Sequence, residues 1–242
     1  MHSGKQTIPL AAASFVIALV AVVATSAAAR ELEGKLILGA YTPQSESQPR
    51  RSYYWELENG FMEVSRDRID ATRELAVVLL GNNAPKEKQR VQIELYGGSL
   101  LPSTVVVQKG STLRIYNKDE IAHELYAKGL KQFGPEATSP RAIRSIELSE
   151  AGNWQLLDRI VTHVRGHLYV LPNLVAVAKV EGNGAYTFND IEPGTYKLKV
   201  FHGAKTLVEK PIEVPPKQDK RRKKEIALKL DPITLTATPI KK

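Results

Sequence analysis

A chain of 242 residues with 43% hydrophobic and 25% charged residues has the composition of a globular protein, which excludes disorder as the reading of its bulk. Its 34 Lys and Arg against 26 Asp and Glu give a formal charge of +8, a balance that suits nucleic acid, a membrane surface or an acidic polymer. No cysteine occurs, which excludes disulfides, thiolate metal ligands, a cysteine nucleophile and lipid attachment through an N-terminal cysteine.

The N-terminus reads as an export signal. Met1 to Thr7 is short and carries Lys5, Ile8 to Ala24 is almost wholly apolar, and Thr25 to Ala29 is small, with Ala27 and Ala29 at the A-x-A positions. Cleavage after Ala29 predicts a periplasmic or secreted chain of charge about +7, because Lys5 is the only charged side chain before Arg30. Export argues against a nucleic-acid partner. The alternative is an uncleaved anchor, since Ile8–Ala29 approaches the roughly 20 residues that span a bilayer. The Ala-rich end suits a peptidase better than a bilayer interface, which favours Trp and Tyr.

Beyond the signal, the pattern is that of strands. Leu32 to Tyr41 reads as a first strand with Leu36 and Leu38 on one face. Thr42 to Arg51 is a polar loop, followed by the aromatic group Tyr53, Tyr54 and Trp55 and then Phe61. The charged stretch Arg66 to Glu74 fits a short helix with Asp70 near its start. Leu75 to Leu80 is a continuous apolar run, hence a strand buried on both faces. Val91, Ile93 and Leu95 alternate with polar residues, as a half-buried strand requires. Gly97-Gly98 breaks that strand. Thr104–Val107, Leu113 with Ile115, Ile143–Leu148, Asn153–Leu157 and His167–Val170 continue at spacings of about 8–12 residues, which suggests a sandwich or barrel. Leu174–Val180 leads into a hairpin turn at Glu181 to Gly184. Tyr186 and Phe188 share one face, Glu192-Pro193-Gly194 turns the chain, and Tyr196, Leu198 and Val200 share the next face. Ile212–Val214 and Glu225–Leu230 close a small β unit. Lys217 to Lys224 is a basic run, and Asp231–Lys242 reads as an extended tail. No stretch sustains a 3.6-residue apolar period, so little helix is expected.

Two motifs carry a family resemblance. Leu101 to Asp119, followed by His123, resembles the plastocyanin-type cupredoxin pattern P-x-x-x-x-V-x-x-G-x-x-V-x-F-x-N-x-D-x-x-x-H, here with Pro102, Val107, Gly110, Leu113, Ile115, Asn117 and Asp119 in place. The resemblance implies that His123 stands where that family has its first copper ligand, and that Asn117 ties the ligand loops together. Asn183 to Val200 resembles the motif of carboxypeptidase-regulatory-like β-domains, D-G-x-F-x-[IL]-x-D-[VI]-P-P-G-x-Y-x-L-x-V. Together these imply an all-β chain: a cupredoxin-like Greek-key β-sandwich over 30–172, with 42–74 as an insertion or long loop, and a small second β-sandwich unit over 173–230. The departure is as informative. Blue-copper proteins carry Cys, His and Met on one loop, roughly C-x-x-H-x-x-M, and a His₂Cys site with a weak axial Met makes their electron-transfer centre. The matching region, Leu157 to His167, has neither Cys nor Met, and the chain's two methionines are Met1 and Met62.

The remaining chemistry-bearing residues each have a sharp and a plain reading. His123, His163 and His167 are candidate ligands of a thiolate-free copper or zinc site, or remnants in ordinary strands and loops. His202 falls where the second motif has a structural His. Asn117, Lys118, Asp119 and Glu120 read as a strand-end turn rather than acid–base machinery. Tyr53, Tyr54 and Trp55 are a candidate binding surface, for sugar or protein, or a hairpin feeding its aromatics into a core. Arg221 and Arg222, within the basic run, are a candidate contact with an anionic membrane surface or an acidic wall polymer, or a solvated loop. There is no G-x-S-x-G, H-E-x-x-H or phosphate-cradling loop. The leading expectation is a non-enzymatic, cofactor-free binding or structural module of the cell envelope, whose partner is an envelope protein or polymer. Histidine-only copper handling and carbohydrate binding stand as alternatives.

Overall fold

The computed structural model describes residues 29–39, 69–216 and 227–235. The apolar stretch Ile8–Ala24, the aromatic group Tyr53, Tyr54 and Trp55, and the basic run with Arg221 and Arg222 lie outside the described residues. Within them the chain forms four sheets, one helical turn, α1 (Ala71–Glu74), and a single 3-10 turn. Asp70 caps α1 by accepting from the Thr72 amide at 3.1 Å, the role its position predicts.

The first sheet joins β1 (Arg30–Ile37), β12 (Lys179–Val180), β13 (Ala185–Ile191), β16 (Leu228–Lys229) and β17 (Ile233–Thr234). The second, in spatial order, is β11 (Leu174–Val177), β2 (Leu75–Leu80), β14 (Gly194–His202) and β15 (Lys205–Val214). The third is β5 (Thr104–Gln108), β10 (Arg165–Leu171), β9 (Gly152–Asp158) and β7 (Leu125–Ala127). The fourth is β4 (Ser99–Leu101), β3 (Arg90–Tyr96), β6 (Thr112–Asn117) and β8 (Ile143–Glu147).

Three apolar layers separate the four sheets. Leu32, Leu36, Tyr186, Phe188, Leu198 and Val200 fill the layer between the first two. Ile93, Leu95, Leu113, Ile115, Leu125 and Leu168 fill the layer between the last two. A third layer of Ala76, Val78, Leu80, Val106, Tyr169 and Phe201 joins the second sheet to the third. This explains the continuous apolar run of β2. Leu75, Val77 and Leu79 point into one layer while Ala76, Val78 and Leu80 point into another, so both faces of the strand are dry. The same division serves β5, with Val105 and Val107 on one side and Val106 on the other. Tyr169 stacks on Phe201 with ring centroids 4.2 Å apart and donates to the Gly203 carbonyl at 2.9 Å; burial pushes its hydroxyl pKa up to about 12.

The pairings divide the chain differently from the sequence expectation. Arg30–Ile37 and Leu75–Leu80 were expected in the same sandwich as residues 90–172. Instead β1 pairs antiparallel with β13, and β2 pairs with β14 from Lys197↔Leu80 to His202↔Leu75. The second sandwich is therefore not a small appendage of residues 173–230: it holds nine of the seventeen described strands. The described part of Asp231–Lys242, residues 231–235, also departs from a free tail. Within it Ile233 and Thr234 pair in parallel with Leu36 and Ile37, and Leu235 is buried. The physical reason is one of reach. Alternation tells which face a strand buries but not which neighbour it pairs with, and here the partners are over a hundred residues away.

Two local features fix the second sandwich. Gly34 lies opposite Tyr186, whose ring sits so close that a Cβ at Gly34 would be 2.2 Å from it. Tyr196 donates to the Glu192 carbonyl at 2.7 Å, locking the Glu192-Pro193-Gly194 corner where the chain crosses from one sheet to the other. Leu79, fully buried between the first two sheets, should cost about 2–5 kcal/mol of stability as Leu79→Ala. Ile37→Ala, at a residue 43% exposed, should stay within about 0.5 kcal/mol. Urea denaturation of the two variants checks the contrast.

Candidate functional site

The loops at one end of the third and fourth sheets converge on a single imidazole. β6 ends at Asn117, whose side-chain amide donates to the Ile121 carbonyl at 2.7 Å and the Thr138 carbonyl at 2.9 Å. Its side-chain oxygen accepts from the Asp119 amide at 2.9 Å. These bonds curl residues 118–122 back over the sheet end, the turn that Asn and Asp at a strand end favour. His123 then bridges Thr138 in both directions, its amide donating at 3.1 Å and its carbonyl accepting at 2.7 Å. With the backbone so fixed, the ring enters the protein and is fully buried.

Both ring nitrogens meet carboxylates. Nδ1 lies 3.0 Å from Asp158 Oδ2, and Nε2 lies 3.1 Å from Asp119 Oδ2. Asp158 is the last residue of β9, paired across to Leu125, and its side chain is fully buried. Its other oxygen accepts from the amides of Ile160 at 2.8 Å and Val161 at 2.7 Å, so the carboxylate ties the following loop to the ring. Asp119 accepts from the amides of Gly97 and Gly98 at 2.5 and 2.9 Å. Those glycines have φ of +60° and +67°, the left-handed pair of a two-residue hairpin turn between β3 and β4. One imidazole therefore joins three loops: 97–98, 117–123 and 158–161. Ionised carboxylates only accept, so every contact is satisfied when a proton lies between the ring and the oxygen on each side. Burial alone raises the Asp119 carboxyl, but the amides of Gly98 and Gly97 and the His123 ring overcome it and hold the group below the ordinary carboxylate range.

The candidate ligands separate. His163 is exposed, and its ring lies against the Gly98 turn: a Cβ there would be 2.8 Å from its Nε2. It reaches the same end as His123 but from outside. His167 is buried within β10 beside Tyr169, with ring centroids 4.9 Å apart. That is the face opposite Leu168 and Val170, which point into the layer between the last two sheets, so strand alternation turns His167 away from His123. His202 pairs with Glu74 at 3.3 Å, where the two sandwiches meet. Beside it, the Thr104 hydroxyl donates to the Glu74 carbonyl at 2.6 Å and accepts from the Gly203 amide at 2.8 Å.

The donor set does not fit a blue-copper centre. When C-x-x-H-x-x-M is laid on Asp158, the His and Met positions fall on Val161 and Val164. Val164 is buried in the apolar layer and Val161 packs against it. The oxygen that faces His123 belongs to Asp158, and the second ring nitrogen is held by Asp119. Among the described residues no three His, Asp or Glu side chains converge as a metal-holding group. Asp119 proves to be more than a turn residue, and Asp158 was not among the sequence candidates. No spacing in the sequence singled it out, because without a thiolate an Asp at a strand end reads as a turn residue.

Removing one partner of a buried charged contact leaves the other uncompensated. Asp158→Ala, which strips the ring and two amides of their acceptor, should cost about 3–5 kcal/mol in urea denaturation. Asp119→Asn tests the depressed carboxyl. Its contribution is complete above the unfolded value, near about pH 4, and is lost as pH falls through the lower folded value. The stability gap between wild type and Asp119→Asn should therefore be widest at neutral pH and close in acid, read from denaturation curves over a pH series.

No known family matches the sequence, and no curated protein matches it. Solved structures do. Amicyanin from Paracoccus versutus aligns with 19% identity over 36% of this chain and 85% of its own, at a TM-score of 0.31. A purple cupredoxin from Nitrosopumilus maritimus aligns with 16% identity over 33% of this chain and 98% of its own, at 0.30. A copper-containing nitrite reductase from Thermus scotoductus aligns with 17% identity over 37% of this chain and 24% of its own, at 0.31. At these identities and scores the all-β assignment rests on the strands themselves.

Proposed function

We propose that this chain is an exported, non-catalytic binding or structural module of the cell envelope. On this reading, a cupredoxin-like sandwich has exchanged its copper centre for a hydrogen-bonded Asp119–His123–Asp158 clamp, and the second sandwich is carboxypeptidase-regulatory-like. The observation that carries the reading is the clamp: a fully buried imidazole with a carboxylate on each nitrogen. A ring so engaged has no lone pair directed at a metal. Among the described residues both of its ring contacts are carboxylates, and no hydroxyl or thiol meets it. Its work is to hold three loops at one end of the sandwich. The apolar segment Ile8–Ala24 and the small residues before Arg30 support export, and export of a cysteine-free chain suits a fold held by packing alone.

A second reading, histidine-only copper handling, draws on one observation: His163 reaches the same end of the fold as His123. Copper content separates the two. The chain from Arg30 to Lys242, purified after expression with copper, should carry no stoichiometric copper by elemental analysis. Titrated Cu(II) should give no EPR signal that His123→Ala removes. One tightly held copper per chain, lost in His123→Ala, overturns the proposal in favour of the second reading.

A further inference from the structure

The two sandwiches meet through an apolar layer that does not fill the space between them. Beside it lies a cleft of about 690 Å³, within the usual size of a binding site, roughly 300–1,000 Å³. Its walls come from both sandwiches: Thr104, Val105 and Val106 of β5 on one side, and Val175, Ala176 and Val177 of β11 on the other. Both are the end strands of their sheets, and among the described residues no strand pairs with their outer edges.

The hydrogen-bond register fixes what those edges present. The His167 amide donates to the Ser103 carbonyl, and the Lys109 amide donates to the Leu171 carbonyl. The odd-numbered residues of β5 therefore face β10, and the amide and carbonyl of Val106 face the other way. Val106 is only 5% exposed, and among the described residues neither group finds a backbone partner. A buried backbone group without a partner is costly. On β11, the Ala178 amide donates to the Val77 carbonyl. Ala178 and Ala176 thus face β2, while the amide and carbonyl of Val177 face away, and the residue is 45% exposed. The charged residues among the walls are Asp190 and Glu192, with no Lys or Arg, in a chain whose net charge is +8.

We propose that the cleft takes an extended peptide by strand addition. The peptide would pair its backbone with the outer edge of β11, where Val177 is exposed, rest apolar side chains on the Val and Ala walls, including those of the buried β5, and set a basic side chain beside Asp190 and Glu192. The proposal rests on the binding-module reading and deepens it. Strand addition draws affinity from main-chain bonds and specificity from alternate side chains. An acidic rim then selects a cationic partner by charge complementarity.

The test uses chain Arg30–Lys242 and a fluorescent peptide, Lys-Val-Thr-Val-Thr-Val-Thr-Lys, followed by anisotropy and by backbone amide shifts. Saturable binding should shift the amides of 104–106 and 175–178. Methylating alternate peptide nitrogens on the pairing edge, which removes donors but keeps every side chain, should abolish it. Replacing both peptide lysines with Glu should weaken binding at least tenfold. Asp190→Asn combined with Glu192→Gln should weaken it at least threefold. Val177→Pro removes a donor that the sheet does not use and should also reduce binding. No saturation at millimolar peptide, equal binding of the methylated peptide, or shifts elsewhere in the protein would overturn the proposal. So would slow amide exchange at the exposed Val177 in the peptide-free chain, because the β11 edge would then already be paired. None of these outcomes touches copper content, so the two readings fail separately.

Discussion

The imidazole of His123 meets a carboxylate at each of its two ring nitrogens. It is flat, fits a dry space, and offers a nitrogen at each end, so one side chain bridges Asp158 on β9 and Asp119 in the loop after β6. Each carboxylate in turn holds backbone amides of a different loop. The 97–98 turn, the 117–123 loop and the 158–161 loop are thereby tied to one another through a single ring. The buried polar groups are compensated by one another, an arrangement in which every member must be present for any to be tolerated.

That end of the fold is carried on an unusual stack. Four sheets with three apolar layers between them need strands that are dry on both faces, and β2 and β5 meet that need with runs of Leu, Val and Ala. The joint between the sandwiches is therefore core packing, reinforced where Thr104 bonds both Glu74 and Gly203. A cleft lies beside this joint. The clamp and the cleft lie at different places in the molecule: one ties loops together, the other lies along the unpaired edge of β11.

Much of the local structure was legible in the sequence. The cap at Asp70, the burial of Ile93 and Leu95, the hairpin at 181–184 and the shared face of Tyr186 with Phe188 all follow from short-range patterns. The division of the chain was not. The run Leu75–Leu80 announces burial on both faces but names no partner, and its partner β14 comes more than a hundred residues later. The pairing of Ile233 and Thr234 with β1 was hidden for the same reason, since two residues make no periodic signal. At the site, His123 was found through its motif, whereas Asp158 was not. Without a thiolate to set the register, an Asp at a strand end looks like any turn residue. His167 looked like a ligand by residue type, yet its place in β10 turns it away from His123.

The claim on which this account turns is that the protein's own carboxylates, and not a metal, satisfy His123. The most direct measurement is a nitrogen–proton NMR spectrum of the His123 ring in chain Arg30–Lys242, recorded alone and with one equivalent of copper(I) or zinc(II). The account predicts a slowly exchanging proton in each of the two ring–carboxylate bonds and no change when metal is added. A bare ring nitrogen whose resonance shifts at one equivalent of metal, with loss of the Asp158 contact, would contradict it.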